Sequence, residues 1–302
     1  MNKLHKKDFS IAFKTGSDAN KSKFKKEAVQ GEIYHATDTG LFYVAETTAG
    51  AIDATLAQFG GSVFTNDYSV DLDGTNDYID CGGDADFSFT DGAGNDSAFS
   101  ISAWVKLDSS RIQRIVDKSG TTQASRSYLF GTDGDSKLNI FLGPGTSNYL
   151  YIRETAVLST GTWHHIVCTY DGSNTEGGLT LYRAGSEITP QLLSSGSYAG
   201  LPSTSETLKI GRLNLNGSVM NGLVDEVAVF DYELTALQVS DIYNGGVPND
   251  ISSLSPLGWW RMGDNDNGTG TTITDQGSGG NDGTLNNIVS PYGIVSGTGK
   301  TP

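Results

Sequence analysis

The aspartates Asp71, Asp73, Asp77, Asp225, Asp264, Asp266 and Asp275 all fall in turns or at the ends of strand-like segments. Carboxylates in irregular loops suit calcium, a hard cation that takes about six to eight oxygens, several of them backbone carbonyls. The same acids cap turns by accepting hydrogen bonds from backbone amides, so both uses stay open. "GDNDNG" at 263–268 departs from the EF-hand pattern, because Gly263 would fill the first ligand position and brings no side-chain oxygen. Asp225 and Glu226 are neighbours in "GLVDEVAVF". In a regular strand they point to opposite faces, and the next acid on the Asp225 face, Asp231, lies too far along. Retaining glycoside hydrolysis needs two carboxyls about 5 Å apart, so the pattern predicts a non-enzymatic chain. His164 and His165 also alternate, which keeps them from sharing one ion; both are expected to be ordinary strand residues. Tyr149, Tyr151 and Tyr198, in or near Gly/Ser-rich connections, are the candidates to stack on a sugar ring, with packing on the sheet surface as the competing use. Trp104, Trp163, Trp259 and Trp260 sit in strand patterns and are read as core.

Strands must hold these residues. The chain has 302 residues and 39 glycines, with apolar residues in short groups rather than helical stripes. That composition predicts an all-β protein with many turns. In "FSISAWVKL", period-two alternation puts Phe99, Ile101, Ala103, Val105 and Leu107 on one face. The succession of strands over residues 63–246 favours a two-sheet antiparallel sandwich over a parallel sheet, which would need helical crossovers. One helix is expected in "LTALQVSDIYNGG", with Thr235 and Gln238 as a capping box, Leu234 and Val239 as a hydrophobic staple, and Gly245 as the stop. Nearer the start, "EIYHA" and "LFYVA" flank "TDTG" and read as a β-hairpin. Two strands alone are marginal in water, so the hairpin is expected to pack on something else. "TTAGAIDATLAQFGG" reads as a short helix or a linker, and "VPNDISSLSP" as a linker. Cys81 and Cys168 lack a CxxC partner and read as small packed residues.

Net charge is −15. Residues 1–30 carry eight lysines against Asp8, Asp18 and Glu27, giving +5 and leaving −20 for the rest. An acidic body repels phosphates and argues against nucleic acid as a partner. No apolar run is long enough to span a membrane as a helix, and the N-terminal stretch lacks the apolar core of a secretory signal, so no membrane partner is expected.

Four segments, taken in order, carry a resemblance. "VDLDGTNDYIDCG", "FSISAWVKL", "GTWHHIVCTYDG" and "LKIGRLN" followed by "GLVDEVAVFDYELTALQVSDIYNGG" resemble the laminin G-like branch of the concanavalin A-like lectin/glucanase superfamily, in its bacterial and viral members. The resemblance spans residues 63–246 and implies a jelly-roll sandwich of two antiparallel sheets. It implies a structural calcium between the closing-strand acid and the early strands, which maps onto Asp73, Asp225 and Asp275. The segment "GWWRMGDNDNGTGTTITDQGSGGNDGTL" resembles the stretch that normally opens this family, yet it follows the closing helix. Residues 247–302 are therefore expected to complete the same sandwich in circularly permuted order, with completion of a neighbouring subunit as the alternative. "GEIYHATDTGLFYV" resembles short segments of phage tail-fibre and other virion proteins. Residues 1–60 are accordingly expected to anchor the chain to other virion proteins, in a homo-oligomer with a trimer favoured. The expected function is a phage virion protein, as head decoration or tail fibre, displaying a lectin-like domain with a cell-surface glycan as candidate ligand. A stand-alone lectin and a glycan hydrolase are the alternatives.

Overall fold

The computed structural model describes residues 64–214, 218–289 and 293–297, together with the backbone of four strands within residues 1–63. The chain divides into two units, residues 1–65 and 66–302. In the first, β1 (Phe13–Gly16), β2 (Ile33–Ala36), β3 (Leu41–Ala45) and β4 (Leu56–Phe59) form one sheet in that order. The pair β2–β3 is the hairpin read from the sequence, with Ile33 opposite Val44. It is not isolated: β1 adds in parallel to one side and β4 antiparallel to the other. The stretch read as a helix or linker therefore contributes a strand, because the open edge of β3 offers unpaired backbone groups that a short segment can satisfy. Most of the lysine-rich arm lies outside the described residues.

The second unit packs two antiparallel sheets face to face. One has nine strands: β6 (Tyr78–Asp80), β8 (Gln113–Ser119), β9 (Arg126–Thr132), β10 (Leu138–Leu142), β11 (Leu150–Arg153), β15 (Gln191–Leu192), β16 (Lys209–Ile210), β19 (Thr272–Ile273) and β20 (Gly283–Asn286). Their order is β15-β11-β10-β9-β8-β16-β6-β20-β19. The other contains β5 (Tyr68–Asp73), β7 (Phe99–Leu107), β12 (Trp163–Tyr170), β13 (Leu179–Arg183), β14 (Ser186–Ile188), β17 (Asn221–Phe230), β18 (Gly258–Trp260) and β21 (Gly293–Ser296). Its order is β14-β13-β12-β7-β17-β5-β21, with β18 also on β17. The jelly-roll sandwich expected from the sequence is the observed architecture. Residues after the linker add strands to both sheets: β18 pairs with β17, β20 with β6 and β21 with β5.

The inward faces supply one core. Phe99, Ile101, Ala103, Val105 and Leu107 all lie in it, as the period of β7 requires. Phe99 sits 5.0 Å from Tyr128 between ring centroids, and Phe87 packs 5.8 Å from Trp260. Burying one such ring contributes about 2–3 kcal/mol at usual transfer values. Trp104, Trp259 and Trp260 are buried, whereas Trp163 is half-buried. Both cysteines are buried and free.

Among the described residues of this unit the one α-helix, α1 (Ala236–Tyr243), begins at the capping box of Thr235 and Gln238. It ends one residue earlier than its glycine predicts. Asn244 takes the left-handed conformation at φ 45° and Gly245 follows at φ 65°, since asparagine tolerates that region better than most side chains. The helix covers the outer face of the second sheet, where Tyr243 stacks near Trp104 and His165.

Candidate functional site

Two polar clusters lie on the outer faces of the sandwich, and β-bulges build both. The first sits on β17. Asp225 faces Trp104 of β7 and Ala228 faces Ser102, so β17 carries one extra residue between them. Glu226 takes up that residue at φ +46°, a strained conformation for a residue that carries a Cβ. Ahead of the bulge Val224 points into the core; beyond it Val227 and Val229 do. Asp225 and Glu226 therefore both end on the outer face, and the sequence expectation of opposite faces is overturned. Their ligand atoms and those of Asp264 all lie within 4.8 Å of one another.

Neighbours close this cluster. The Trp259 indole N–H donates to Glu226 Oε2 at 2.6 Å, and Arg261 Nε donates to Oε1 at 3.0 Å. Asp225 accepts from the Glu226 backbone N–H and from Asn66 Nδ2, each at 2.8 Å. Asp264 Oδ1 accepts from the Asp67 backbone N–H at 2.7 Å. Asp225 is fully buried and Glu226 nearly so. Burial pushes the Glu226 carboxyl up from its ordinary range against the pull of Arg261, and burial also raises Asp264. Asp264 Oδ2 is a buried oxygen without a hydrogen-bond partner among the described residues. Three converging carboxylates with one such oxygen fit a hard cation better than a soft one. Calcium, the ion implied by the family resemblance, would be held by Asp225, Glu226 and Asp264.

The second cluster lies on the outer face of the nine-stranded sheet. Asp117, Leu129, Phe141 and Tyr151 are register partners across β8, β9, β10 and β11 and form one row. Phe141 packs against the tilted rings of Tyr149 and Tyr151 at centroid distances of 4.7 Å and 6.1 Å, and Leu129 and Leu213 complete this small apolar platform. Arg114 and Arg126 border it. In regular strands Arg114 would share the inward face of Val116, and Arg126 that of Tyr128. A bulge at Arg114/Val116 and another opposite Lys118/Ser119 turn both outward. Gly131 permits the first: a Cβ there would lie 2.1 Å from the Gln113 carbonyl oxygen. The Arg126 guanidinium lies 5.0 Å from the Phe141 ring centre. Between them opens a cavity of about 150 Å³ lined by Arg114, Arg126, Asp133, Asn139, Phe141 and Tyr151, among others.

The family model for the concanavalin A-like lectin/glucanases superfamily, in its third laminin G-type form, matches residues 73–240. The chain belongs to this superfamily. Among solved structures, this superfamily member is similar to a Bacteroides ovatus protein proposed to bind carbohydrate, at 19% identity and a TM-score of 0.55, over 89% of this chain and 70% of that one. It is also similar to a heptameric SAP-like pentraxin of Limulus polyphemus, at 16% identity and TM-score 0.42, over 60% and 83% of the two chains. A third likeness is to the CBM40 module of a Ruminococcus gnavus sialidase bound to sialyllactose, at 13% identity and TM-score 0.43, over 58% and 96%. At these identities the likeness concerns the fold alone. No curated protein matches the chain.

Within this lectin-like sandwich, the residues implied for calcium do not gather. Asp73 lies opposite Asn221, four residues up β17 from Asp225, or about 13 Å at strand rise. Its Oδ1 caps a turn by accepting from the Thr75 and Asn76 amides, which hold its carboxyl below the usual range despite some burial. Asp275 accepts from the Trp259, Gly277 and Asn281 amides. Both act as turn caps, and the acids whose oxygens converge on those of Asp225 are Glu226 and Asp264. Of the others, Asp77 accepts from the Asp73 amide and Asp266 from that of Thr274.

Of the three tyrosines, Tyr149 and Tyr151 meet on the outer platform. Tyr198 is elsewhere: its hydroxyl donates to Asp96 at 2.6 Å, and its ring packs on the main core. His165 is buried between Trp104 and Tyr243, with burial driving its imidazole down to about 3, while His164 meets Ser159 and Thr162. The sequence reading gave no role to Arg114 and Arg126. The apolar doublet Ile115–Val116 after Arg114 breaks the alternation and is the signal that marks a bulge there.

Proposed function

We propose that the second unit is a non-enzymatic carbohydrate-binding domain whose site is the outer face of the nine-stranded sheet. One observation carries this reading. An aromatic platform of Phe141, Tyr149 and Tyr151 borders a cavity with charged and amide side chains at its rim. Sugar sites need this pairing, a flat apolar surface for the ring and fixed polar groups for its substituents. The non-enzymatic part is supported by the bulge cluster. Its carboxylates have hydrolase-like spacing, yet Glu226 is committed to Trp259 and Arg261 and withheld from solvent. The test is binding of the whole chain to an oligosaccharide panel, with Tyr151→Ala alongside. We expect Tyr151→Ala to weaken any saccharide bound by at least tenfold without lowering the melting temperature by more than a few degrees. Binding that survives Tyr151→Ala unchanged would remove the site from this face.

We further propose that the domain is displayed on a phage virion, attached through residues 1–60 in a homo-oligomer. The basic arm, the tail-fibre-like "GEIYHATDTGLFYV" and the separate four-stranded unit support it. Co-purification with particles, lost when residues 1–60 are deleted, is the expected result. Residues 258–286 are proposed to be the family's opening segment in permuted position. In support, the family match ends at residue 240, yet β18 and β20 pair with strands inside it. A structural calcium at Asp225, Glu226 and Asp264 completes the proposal.

A further inference from the structure

The outer-face cavity carries more charge information than a neutral sugar requires. Arg114 Nε and Arg126 Nε are buried and lack a hydrogen-bond partner. Arg114 has one long contact, from Nη1 to the Thr132 carbonyl at 3.4 Å. Among the described residues neither guanidinium forms an ion pair. The acids within reach are already engaged. Asp133 holds Arg153 at 2.7 Å and accepts from the Asp135 and Lys137 amides. Asp117 accepts from the hydroxyl and amide of Ser119. Burial lowers both from their ordinary value; Asp117 pulls back on each, and for Arg114 the repulsion of Arg126 is set against Tyr151 and Asp133.

Both arginines are half-buried, with the Nε of each shut away from water, and an anionic ligand against their guanidiniums would recover part of the solvation they lose. The body around this cavity is strongly acidic, so the local excess of guanidinium is not a by-product of composition. Two bulges turn these side chains away from the core, at the expense of regular pairing in β8 and β9. The Arg126 guanidinium lies over the Phe141 ring and lines the cavity. Guanidinium pairs of this kind match planar carboxylates and sulfates.

We infer that this cavity selects an acidic saccharide, one whose carboxylate or sulfate is taken by Arg114 and Arg126 while its ring lies against Tyr151 and Phe141. The inference rests on the proposed sugar-binding role of the same face. Asn139, which lines the cavity beside Arg114, is placed to meet a hydroxyl of the same residue.

The experiment uses the whole chain and four probes: an oligogalacturonate, its methyl ester, a sulfated galactose oligomer and a neutral galactose oligomer. Calorimetry at low and moderate salt reads the affinities. The expected result is binding of the uronate or the sulfated oligomer. Esterifying the uronate, or using the neutral oligomer, should weaken binding at least tenfold, and added salt should weaken it further. Arg114→Gln and Arg126→Gln should each lose at least tenfold, with Arg126→Lys retaining part of the affinity. Whichever acidic probe binds identifies the anion. If the neutral oligomer and the methyl ester bind as well as the acids, the inference is overturned while the sugar-binding face stands. If no saccharide binds at all, the proposed function itself fails. Because the ester comparison uses the unaltered protein, it decides the matter even if an arginine variant does not fold.

Discussion

The two bulge-built clusters share a construction and differ in what happens to their charges. On β17, Glu226 meets an indole N–H and a guanidinium, and Arg261 meets Glu226 and Asn265. On the nine-stranded sheet, Arg114 and Arg126 keep nitrogens buried and unmatched. In the first arrangement the opposite charges meet each other, with Asp264 Oδ2 alone left for a cation, and it reads as architecture. The second is left open and reads as recognition. Unbalanced burial, more than the presence of charged residues, separates a binding surface from a structural lock.

Removing one partner from the closed cluster gives the largest expected effect. Glu226→Ala leaves Arg261 and the Trp259 N–H buried without their acceptor, and should cost about 3–5 kcal/mol in urea unfolding. A loss below about 1 kcal/mol would erase the contrast between the clusters. The second effect belongs to the open face. Burial pushes the Asp117 carboxyl up to about 6. The folded state then holds this proton to higher pH than the unfolded chain does, so stability is lost as pH rises from about 4 through about 6. Two units correspond to about 3 kcal/mol. Asp117→Asn should therefore stabilise the protein by up to that amount at pH 7–8 and leave it unchanged near pH 4. A wild-type stability that stays flat across this window would remove the effect.

Chelation comes next. If calcium joins the β17 cluster, a chelator should remove about 2–3 kcal/mol at ion levels near 100 times the dissociation constant. Asp264→Asn should abolish that response, whereas Asp73→Asn and Asp275→Asn should lower the melting temperature yet keep it. A melt indifferent to chelator would leave the acids to Arg261 and the backbone. The smallest effect on stability is expected at the open face, where Arg126→Gln should change it by less than about 1 kcal/mol. Arg126 has few partners to lose, and a loss above about 2 kcal/mol in chemical denaturation would make it scaffold.

The sandwich was legible because most strands keep their period. The β7 face from Phe99 to Leu107 and the Thr235 capping box are local patterns, and the core obeys them. Both clusters escaped the same reasoning for one reason. A single extra residue reverses every later side chain, so Arg114, Arg126 and Glu226 sit on faces that strict alternation denies them. The calcium mapping failed differently. Asp73 and Asp275 have the residue type and the neighbourhood in sequence, but each is consumed by its own turn. Tyr198 was misplaced because its bond to Asp96 spans distant segments and leaves no local trace.

One property of β17 bears on how the chain reaches this state. Its first half pairs with β5 and its second half with β18, and β5 in turn waits for β21 on its other side. During synthesis β5 emerges early with both edges bare; β17 follows about 150 residues later and β21 only near the end of the unit. Pairings of such long range are closed late and slowly. An unpaired strand held that long is an invitation to association between chains. The nascent protein therefore passes through a lengthy sticky interval, and crowding by sister chains in the same interval would favour exchange of the late strands between neighbours.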